Sequence, residues 1–211
     1  MASDETTEHD PASVPADELN ESLDEATQND RMRRAGRILR EWVIVIVGAV
    51  ALAMVIRTYA FQTFYIPSAS METTLMTGDR ILVNKLAYHF RDVHRGDIVV
   101  FARPPEENCA GPLVPDLVKR VIGLPGDHLT SKGDTVYVNG KPLAEPWLPA
   151  TGKPLITPID PITVGKDRYF VMGDNRGNSC DSRMWGTVKR SYFVGNVQLI
   201  LWPISHFGFP D

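Results

Sequence analysis

Cysteine and histidine are scarce in this sequence, and their scarcity limits the chemistry that the chain can support. Of 211 residues, only two are cysteine and five are histidine. No histidines are spaced as metal ligands usually are, and His89 and His94 merely flank a short turn-like stretch. We therefore predict no metal site and no cofactor, so any catalysis must depend on other side chains.

Positive charge is absent from the first 30 residues, which hold ten Asp and Glu and no Lys or Arg. This stretch also has few apolar residues, so it cannot bury a core, and we predict a disordered, solvated, cytoplasmic tail over residues 1–37. An acidic tail that binds a partner is the alternative interpretation. Positions 31–211 carry 22 basic residues against 16 acidic ones without a domain-wide basic face, so we predict no nucleic-acid partner.

Long apolar runs are rare too, and the exception is residues 42–56, which are fifteen residues without a charge. Fifteen helical residues span only ~22 Å, short of the ~30 Å hydrocarbon core of a bilayer. Extension to residues 38–60 closes that gap, and we predict one transmembrane helix there. Arginines at positions 31, 33, 34, 37 and 40 precede the uncharged run. By the positive-inside rule they predict a single-pass protein of the cell (inner or plasma) membrane, with the N-terminus cytoplasmic and residues 61–211 extracytoplasmic.

Two alternatives to a membrane anchor are a cleaved signal peptide and a buried core helix. A signal peptide starts with a short basic segment, whereas some thirty acidic and polar residues come first here. A core helix does not need five arginines on one side. Both patterns therefore favour the anchor.

Short runs with period-two alternation or β-branched residues dominate after residue 61. We predict strands over residues 80–85, 97–101, 117–123, 135–141, 168–172 and 194–202. Asn139 and Gly140 suit a type I′ turn of a hairpin. No amphipathic helix pattern follows residue 65, and six prolines between 141 and 161 indicate a loop-rich excursion. The domain 61–211 is therefore predicted to be mainly β.

Ser70 and Lys119 are the candidate catalytic pair. Ser70 lies in a turn-like segment (YIPSASM, 65–71), and Lys119 lies in an apolar run typical of a buried strand (LVKRVIG, 117–123). A lysine can act as a general base only if its ammonium loses water and its pKa falls well below ~10.4. A buried strand would produce that fall. The pair therefore predicts hydrolysis by a serine nucleophile and a neutral lysine.

Five sequence blocks, in order, resemble the bacterial type I signal peptidases (leader peptidases), a serine protease family with a Ser-Lys dyad. The blocks are IPSASM (66–71), GDRILVNK (78–85), RGDIVVF (95–101), VKRVIGLPGD (118–127) and GDNRGNSCDSRMWG (173–186). One block alone would be weak, but five in order after an apolar anchor are specific. The resemblance implies a signal-peptidase-like β-sheet or barrel catalytic domain. It also implies a membrane-anchored serine endopeptidase that cleaves N-terminal signal peptides from secretory preproteins through an acyl-enzyme.

The resemblance also assigns roles to particular side chains. It implies that Ser70 is the nucleophile, Lys119 is the general base and the Ser68 hydroxyl joins the Ser70 backbone N–H in the oxyanion hole. Ser179 matches a serine that orients the lysine amine. Asp181 and Arg183 match a structural ion pair.

Substrate contacts follow from the same resemblance, because the family accepts small residues one and three positions before the cut. The positions that line the pockets are Phe64, Ile66, Leu75 and Val118, for each of which core packing is the alternative. An extended peptide is predicted to add to the strand edge near Asp116.

Cys109 and Cys180 are the only cysteines, and Cys180 stands where the family often has a small residue. An oxidising compartment favours a disulfide between them, although two lone cysteines are also compatible with free thiols.

Three rival functions can be compared with the peptidase. A self-cleaving repressor-type protein shares the Ser-Lys chemistry but needs an N-terminal DNA-binding domain, which the sequence does not suggest. A Ser-His-Asp triad is disfavoured because no histidine falls in any of the five blocks. A catalytically silent membrane module that captures signal segments is the third alternative, and the serines and the lysine that it would retain argue for turnover instead.

Overall fold

The structure is a computed structural model that describes residues 16–109, 114–149 and 154–210, with side chains described at position 34 and from residue 36 onward. The contacts divide the chain into two units, Met1–Met54 and Val55–Asp211. The described part of the first unit is helical, and the second unit contains all of the described strands.

Helix α1 (Ala16–Tyr59) contains a 24-residue segment, Gly36–Tyr59, that is long enough to cross a membrane and includes an 18-residue stretch with a mean hydropathy of 2.2. No other helix in the described part of the chain is long and apolar enough to do so. The segment coincides closely with the predicted 38–60 span. The prediction of disorder up to residue 37 differs from the structure, in which residues 16–37 are helical. Residues 16–35 contain no proline or glycine, and many are Ala, Glu, Leu or Arg, which favour helices. Residues 1–15 lie outside the described range.

Eleven strands and two four-residue helices follow α1 in the described part of the chain. In chain order they are β1 (Phe61–Tyr65), β2 (Arg80–Asn84), α2 (Ala87–Phe90), β3 (Ile98–Ala102), β4 (Asp116–Gly123), β5 (His128–Lys132), β6 (Thr135–Val138), β7 (Lys141–Pro142), β8 (Ile162–Thr163), β9 (Arg168–Met172), α3 (Ser182–Trp185), β10 (Val188–Lys189) and β11 (Phe193–Trp202). Short 3-10 turns occur at Ala69–Met71, Arg190–Tyr192 and Ile204–His206.

The strands form two antiparallel sheets, so the predicted mainly β architecture is confirmed. One sheet has seven strands in the order β1-β2-β11-β3-β4-β9-β10, and the other has four in the order β7-β6-β5-β8. All six predicted strands are present. The run predicted over 135–141 divides into β6 and β7 at a turn where Asn139 and Gly140 have φ of 52° and 77°, as a type I′ turn requires.

The segment 141–161, predicted to be a loop-rich excursion, contains only the two-residue strand β7 as regular structure among its described residues. Two apolar side chains of the segment nevertheless belong to the core. Leu155 and Ile159 are buried in a cluster with Val136 and Phe170. The excursion therefore covers one face of the smaller sheet, because apolar side chains can fill a core from a loop as well as from a strand.

A second core cluster lies beneath the segment that carries Ser70. Met71 is 1% exposed and packs with Ile66, Leu75 and Ile81. Because its flanking residues are buried on both sides, the turn that contains Ser70 is anchored to the larger sheet. Strand β4, which carries Lys119, runs through the same sheet between β3 and β9.

Candidate active site

The structure brings Ser70 and Lys119 into direct contact across 49 residues of sequence. Ser70 lies in the 3-10 turn after β1, and Lys119 lies in the middle of β4. The Lys119 Nζ donates a hydrogen bond to the Ser70 Oγ at 2.7 Å. Transfer of a proton from the Ser70 hydroxyl to a neutral Lys119 amine needs this geometry, because protons move along hydrogen bonds of this length.

The Lys119 side chain is nearly buried, with the residue only 4% exposed. Loss of hydration lowers the pKa of Lys119 from its ordinary value to about 8. The negative charges of Asp181, Asp174 and Glu107 oppose this fall, while Arg183 adds to it. A substantial fraction of the amine is therefore neutral near pH 8, as a general base requires.

The turn that carries Ser70 is held by the loop that follows β9. The Asn175 backbone N–H donates to the Ser70 carbonyl oxygen at 3.1 Å, and the Asn175 Nδ2 donates to the Ala69 carbonyl oxygen at 2.9 Å. A Cβ on Gly173 would overlap the Ser70 carbonyl oxygen and the Ser179 side chain, so only glycine allows the loop to come this close. The sequence analysis included this segment in the block 173–186 but missed that it holds the nucleophile.

The two other serines of the predicted site have different surroundings. Ser68 is exposed, and its Oγ lies 3.4 Å from the Ser70 Oγ. The Ser179 hydroxyl is buried and has no hydrogen-bond partner among the described residues. The bond expected between Ser179 and the lysine amine is therefore not formed in this structure, in which the Lys119 Nζ donates to the Ser70 hydroxyl.

Asp181 and Arg183 form the predicted ion pair, and both side chains are at most 1% exposed. The guanidinium meets the carboxylate through two atoms, with Nε–Oδ1 and Nη2–Oδ2 distances of 2.8 Å. The Asp181 Oδ2 also accepts from the Gly173 N–H at 3.0 Å, and the Arg183 Nη2 donates to the Ser179 carbonyl oxygen at 3.2 Å. The pair thus holds together the loop that reaches Ser70.

A second buried pair, Arg120 with Asp174, was not predicted from the sequence. The Arg120 Nε lies 2.9 Å from Asp174 Oδ1, and its Nη2 lies 2.8 Å from Oδ2. The Thr74 hydroxyl donates to the same carboxylate at 2.6 Å. Three segments of the site are therefore tied together: β4, the loop after β9 and the chain just after Ser70. The available signal was an arginine next to Lys119 and an aspartate next to Gly173.

A cavity of about 400 Å³ opens beside the Ser-Lys pair. Ser68, Ser70 and Lys119 line one part of it, and Cys109 and Cys180 line another. The two cysteines are joined by a disulfide, with their Cα atoms 6.2 Å apart. The bond joins the loop after β3 to the loop that carries Ser179.

Glu107 lies close to both cysteine sulfurs, which is an arrangement that could hold a metal ion. The sulfurs are bonded to each other and cannot bind as thiolates. The Glu107 carboxylate forms an ion pair with Arg103. No histidine is found among the described residues that line this cavity.

A smaller cavity of about 50 Å³ adjoins the pair and is lined by four of the five predicted substrate residues, Phe64, Ile66, Asp116 and Val118. Leu75, the fifth, is fully buried in the core beside Met71 and does not line this cavity. Its expected role is corrected accordingly, because an apolar residue near a site packs into the core whenever its strand or turn faces inward.

The adjoining edge of β4 is partly open. On one side β3 pairs with β4 from Ala102↔Asp116 to Ile98↔Arg120. On the other side β9 pairs only with Arg120, Val121 and Gly123. The first half of β4 therefore has no strand on its second side among the described residues.

Comparisons with known proteins place this arrangement in context. The model of the signal peptidase family, peptidase S26, matches residues 39–202, a range that includes both Ser70 and Lys119. A probable signal peptidase I-2 from Synechocystis sp. is 43% identical over 162 residues, covering 77% of this chain and 72% of that protein. The signal peptidase I of Leptolyngbya laminosa is 39% identical over 176 residues, covering 83% of this chain and 85% of that protein. A crystal structure of a signal peptidase I from Enterococcus faecalis V583 is 31% identical, with a TM-score of 0.40, and covers 50% of this chain and 97% of that one.

Proposed function

Because the chain belongs to the signal peptidase family, peptidase S26, and is therefore a serine peptidase, we propose that it removes N-terminal signal peptides from exported preproteins. The observation that carries the proposal is the 2.7 Å contact between the nearly buried Lys119 amine and the Ser70 hydroxyl. A hydroxyl becomes a nucleophile when an adjacent base accepts its proton.

The proposed reaction begins with neutral Lys119. Its amine takes the Ser70 proton as the Ser70 Oγ attacks the scissile carbonyl carbon, and the resulting ammonium then protonates the departing amine of the mature protein. The signal peptide remains attached to Ser70 as an ester. Lys119, again neutral, next removes a proton from water as the water oxygen attacks the ester carbon. The bond to the Ser70 Oγ breaks, the signal peptide leaves with a new carboxyl group, and the Lys119 ammonium returns its proton to the Ser70 oxygen.

The negative oxygen that forms during attack needs donors. The Ser70 backbone N–H and the Ser68 hydroxyl are the proposed pair, and the 3.4 Å distance between the two hydroxyl oxygens supports a role for Ser68 beside the nucleophile. One donor of this kind is worth roughly 3–4 kcal/mol of transition-state stabilisation in a well-studied protease.

The proposed substrate lies as an added strand along the open half of β4. Backbone hydrogen bonds to Asp116 and Val118 would hold any extended peptide. The 50 Å³ cavity lined by Phe64, Ile66 and Val118 is small, which favours small side chains before the cut. The size of the cavity therefore selects small side chains, and the backbone hydrogen bonds to β4 supply the binding affinity.

The apolar segment Gly36–Tyr59 is proposed to anchor the enzyme in the cell membrane with a single pass. The five arginines between positions 31 and 40, before the uncharged run 42–56, favour a cytoplasmic N-terminus and an extracytoplasmic catalytic domain. This orientation would place the site on the side where signal peptides emerge. We retain the acidic segment of residues 1–37 as a cytoplasmic tail.

The proposal is tested by incubating the full chain, in a non-ionic detergent, with a purified secretory preprotein. We expect one new N-terminus, found by mass spectrometry just after a small residue. The Ser70→Ala and Lys119→Ala variants should be inactive, whereas Ser205→Ala and Lys132→Ala, which change exposed residues of the same types, should cut normally. Near-normal cleavage by either of the first two variants would exclude the dyad, and binding without cleavage by the wild type would favour the silent module.

A further inference from the structure

A basic pocket lies at the edge of the seven-stranded sheet opposite β1, beside the short edge strand β10. Its volume is about 460 Å³. The residues that line it are Lys166, Asp167, Arg168, Lys189, Arg190 and Ser191. Four of these six residues are cationic and one is acidic, so the pocket has a formal excess of positive charge. None of the six takes part in the proposed peptidase reaction.

The cationic side chains of this pocket form no ion pair with a described carboxylate, although most arginines of the domain do. Between residues 61 and 210 there are nine arginines, and six of them form ion pairs with carboxylates. The three described arginines without such a pair are Arg80, Arg168 and Arg190, and two of them line this pocket. Lys166 and Lys189 form no ion pair with a described carboxylate either.

Both arginines are nevertheless held in place by neutral groups. The Arg168 Nη1 donates to the Thr187 carbonyl oxygen at 2.9 Å and to its hydroxyl at 3.3 Å. The Arg190 Nη2 donates to the Tyr88 carbonyl oxygen at 3.0 Å. The Arg190 guanidinium also lies over the rings of Tyr88 and Phe193, at 5.1 and 5.6 Å from their centres. Neutral and aromatic partners fix a guanidinium without cancelling its charge.

The two walls of the pocket are joined through the main chain. The Arg190 N–H donates to the Asp167 carbonyl oxygen at 2.8 Å, and β10 pairs with β9 through Lys189↔Arg168 and Val188↔Tyr169. The pocket is therefore a formed part of the sheet edge, with fixed arginines on both walls and exposed lysines beside them.

We propose that this basic pocket binds a phosphate group. Guanidinium forks match phosphate oxygens through two parallel hydrogen bonds, and lysine ammonium groups add charge without directional demands. The four cationic residues line one pocket instead of an extended stripe, so the ligand is a single phosphate-bearing group and not a nucleic-acid backbone. Two sources share this chemistry: the headgroup of an anionic phospholipid and a water-soluble phosphate.

The test uses the full chain in a non-ionic detergent, with binding measured by isothermal titration calorimetry at constant ionic strength. Three probes are titrated: inorganic phosphate, short-chain phosphatidylglycerol and short-chain phosphatidylcholine, with both lipids below their micelle concentrations. The test variant is Lys166→Glu with Lys189→Glu. Its matched control is Lys132→Glu with Lys141→Glu, which makes the same change in net charge at exposed lysines of the smaller sheet. Cleavage of a soluble peptide reports that each variant is folded.

We expect saturable binding of at least one anionic probe by the wild type and the control variant. Binding by the Lys166→Glu, Lys189→Glu variant should be at least about tenfold weaker, which corresponds to ~1.4 kcal/mol, with unchanged peptide cleavage. Binding of phosphatidylglycerol alone assigns the site to a lipid headgroup, and binding of inorganic phosphate as well assigns it to phosphate in general. The proposal is overturned if neither anion binds, if phosphatidylcholine binds equally well, or if both double variants lose the same affinity.

Discussion

The Asn175 backbone N–H donates a hydrogen bond to the Ser70 carbonyl oxygen, so the residue proposed to attack the substrate is held by a loop more than a hundred residues further along the chain. The contact depends on Gly173, because any side chain there would overlap the same oxygen. It also depends on the buried Asp181–Arg183 pair, which fixes the loop. The geometry of the nucleophile is therefore a property of two segments, and neither can be altered without consequence for the other.

The side chain of Asn175 gives the first prediction. Asn175→Ala removes the bond from Nδ2 to the Ala69 carbonyl oxygen and leaves the main-chain bond to Ser70 in place. We expect kcat to fall roughly fivefold, since one hydrogen bond contributes about 1 kcal/mol, while KM changes little because the substrate groove is untouched. Steady-state kinetics on a peptide substrate check this. A fall in kcat that is accompanied by a lower melting temperature and a higher KM would indicate a general structural role instead.

The protonation of Lys119 gives the second prediction. Its pKa is lowered to about 8, and only the neutral amine can accept the Ser70 proton. Below pH 8 we therefore expect kcat/KM to rise about tenfold per pH unit, and to level off above it. The profile is measured between pH 6 and 10 with a substrate that does not titrate in this range. A plateau that already begins at pH 6 would contradict a lysine base with this pKa.

The same lysine links stability to pH, which gives the third prediction. Because its folded-state pKa lies below its ordinary value of 10.5, the unfolded state binds more protons between pH 8 and 10.5, and stability rises with pH across that window. Lys119→Met removes this dependence. Relative to that variant, the wild type should gain about 2–3 kcal/mol in free energy of unfolding between pH 7 and pH 10.

Urea denaturation of both proteins at the two pH values measures this difference. Lys132→Met, which changes an exposed lysine, serves as the control and should show the wild-type dependence. A pH dependence that is the same in wild type and Lys119→Met would mean that the buried amine is not the titrating group.

The extent to which sequence predicted this molecule depends on the kind of residue. The apolar neighbours of Lys119 indicated burial, and the residue is 4% exposed. By contrast, a pattern cannot distinguish a groove from a core, and Leu75 was assigned to the groove although it is fully buried. The sequence also predicted that Ser179 contacts the lysine amine, and the structure contains no hydrogen bond between them. A motif does not specify the orientation of two side chains closely enough to predict such a bond.

Three of the four strands that the sequence did not predict, β5, β8 and β10, have a common cause. β8 and β10 have two residues each, and β5 contains one clearly apolar residue among its five. These strands form because the tertiary structure pairs them with stronger neighbours, and not because of their own alternation. The helical start of α1 before residue 36 is the opposite case, in which local propensity favours a helix that composition alone had assigned to disorder.

The unpredicted pair of Arg120 and Asp174 gives the fourth prediction. Both side chains are at most 4% exposed, and the Asp174 carboxylate accepts from three donors of Arg120 and Thr74. Arg120→Met leaves a buried carboxylate without its cation, so we expect a loss of about 3–5 kcal/mol in free energy of unfolding. Arg80→Met, at an exposed arginine without an ion pair among the described residues, should cost far less. Equal losses in urea denaturation would contradict the assigned importance of the buried pair.

The disulfide gives the fifth prediction. Cys109 and Cys180 are 71 residues apart and line the cavity beside Ser70. A cross-link that closes a loop of this length restricts the unfolded chain, so replacing both cysteines by serine should cost about 2–4 kcal/mol in stability. Because the bond also connects the Ser179 loop to the loop after β3, peptide cleavage should fall as well.

Denaturation and cleavage are measured with and without dithiothreitol. Reductant should bring the wild type to the level of the double-serine variant and leave that variant unchanged. The prediction is contradicted if dithiothreitol changes neither the stability nor the activity of the wild type, or if the double-serine variant is as stable as the oxidised wild type.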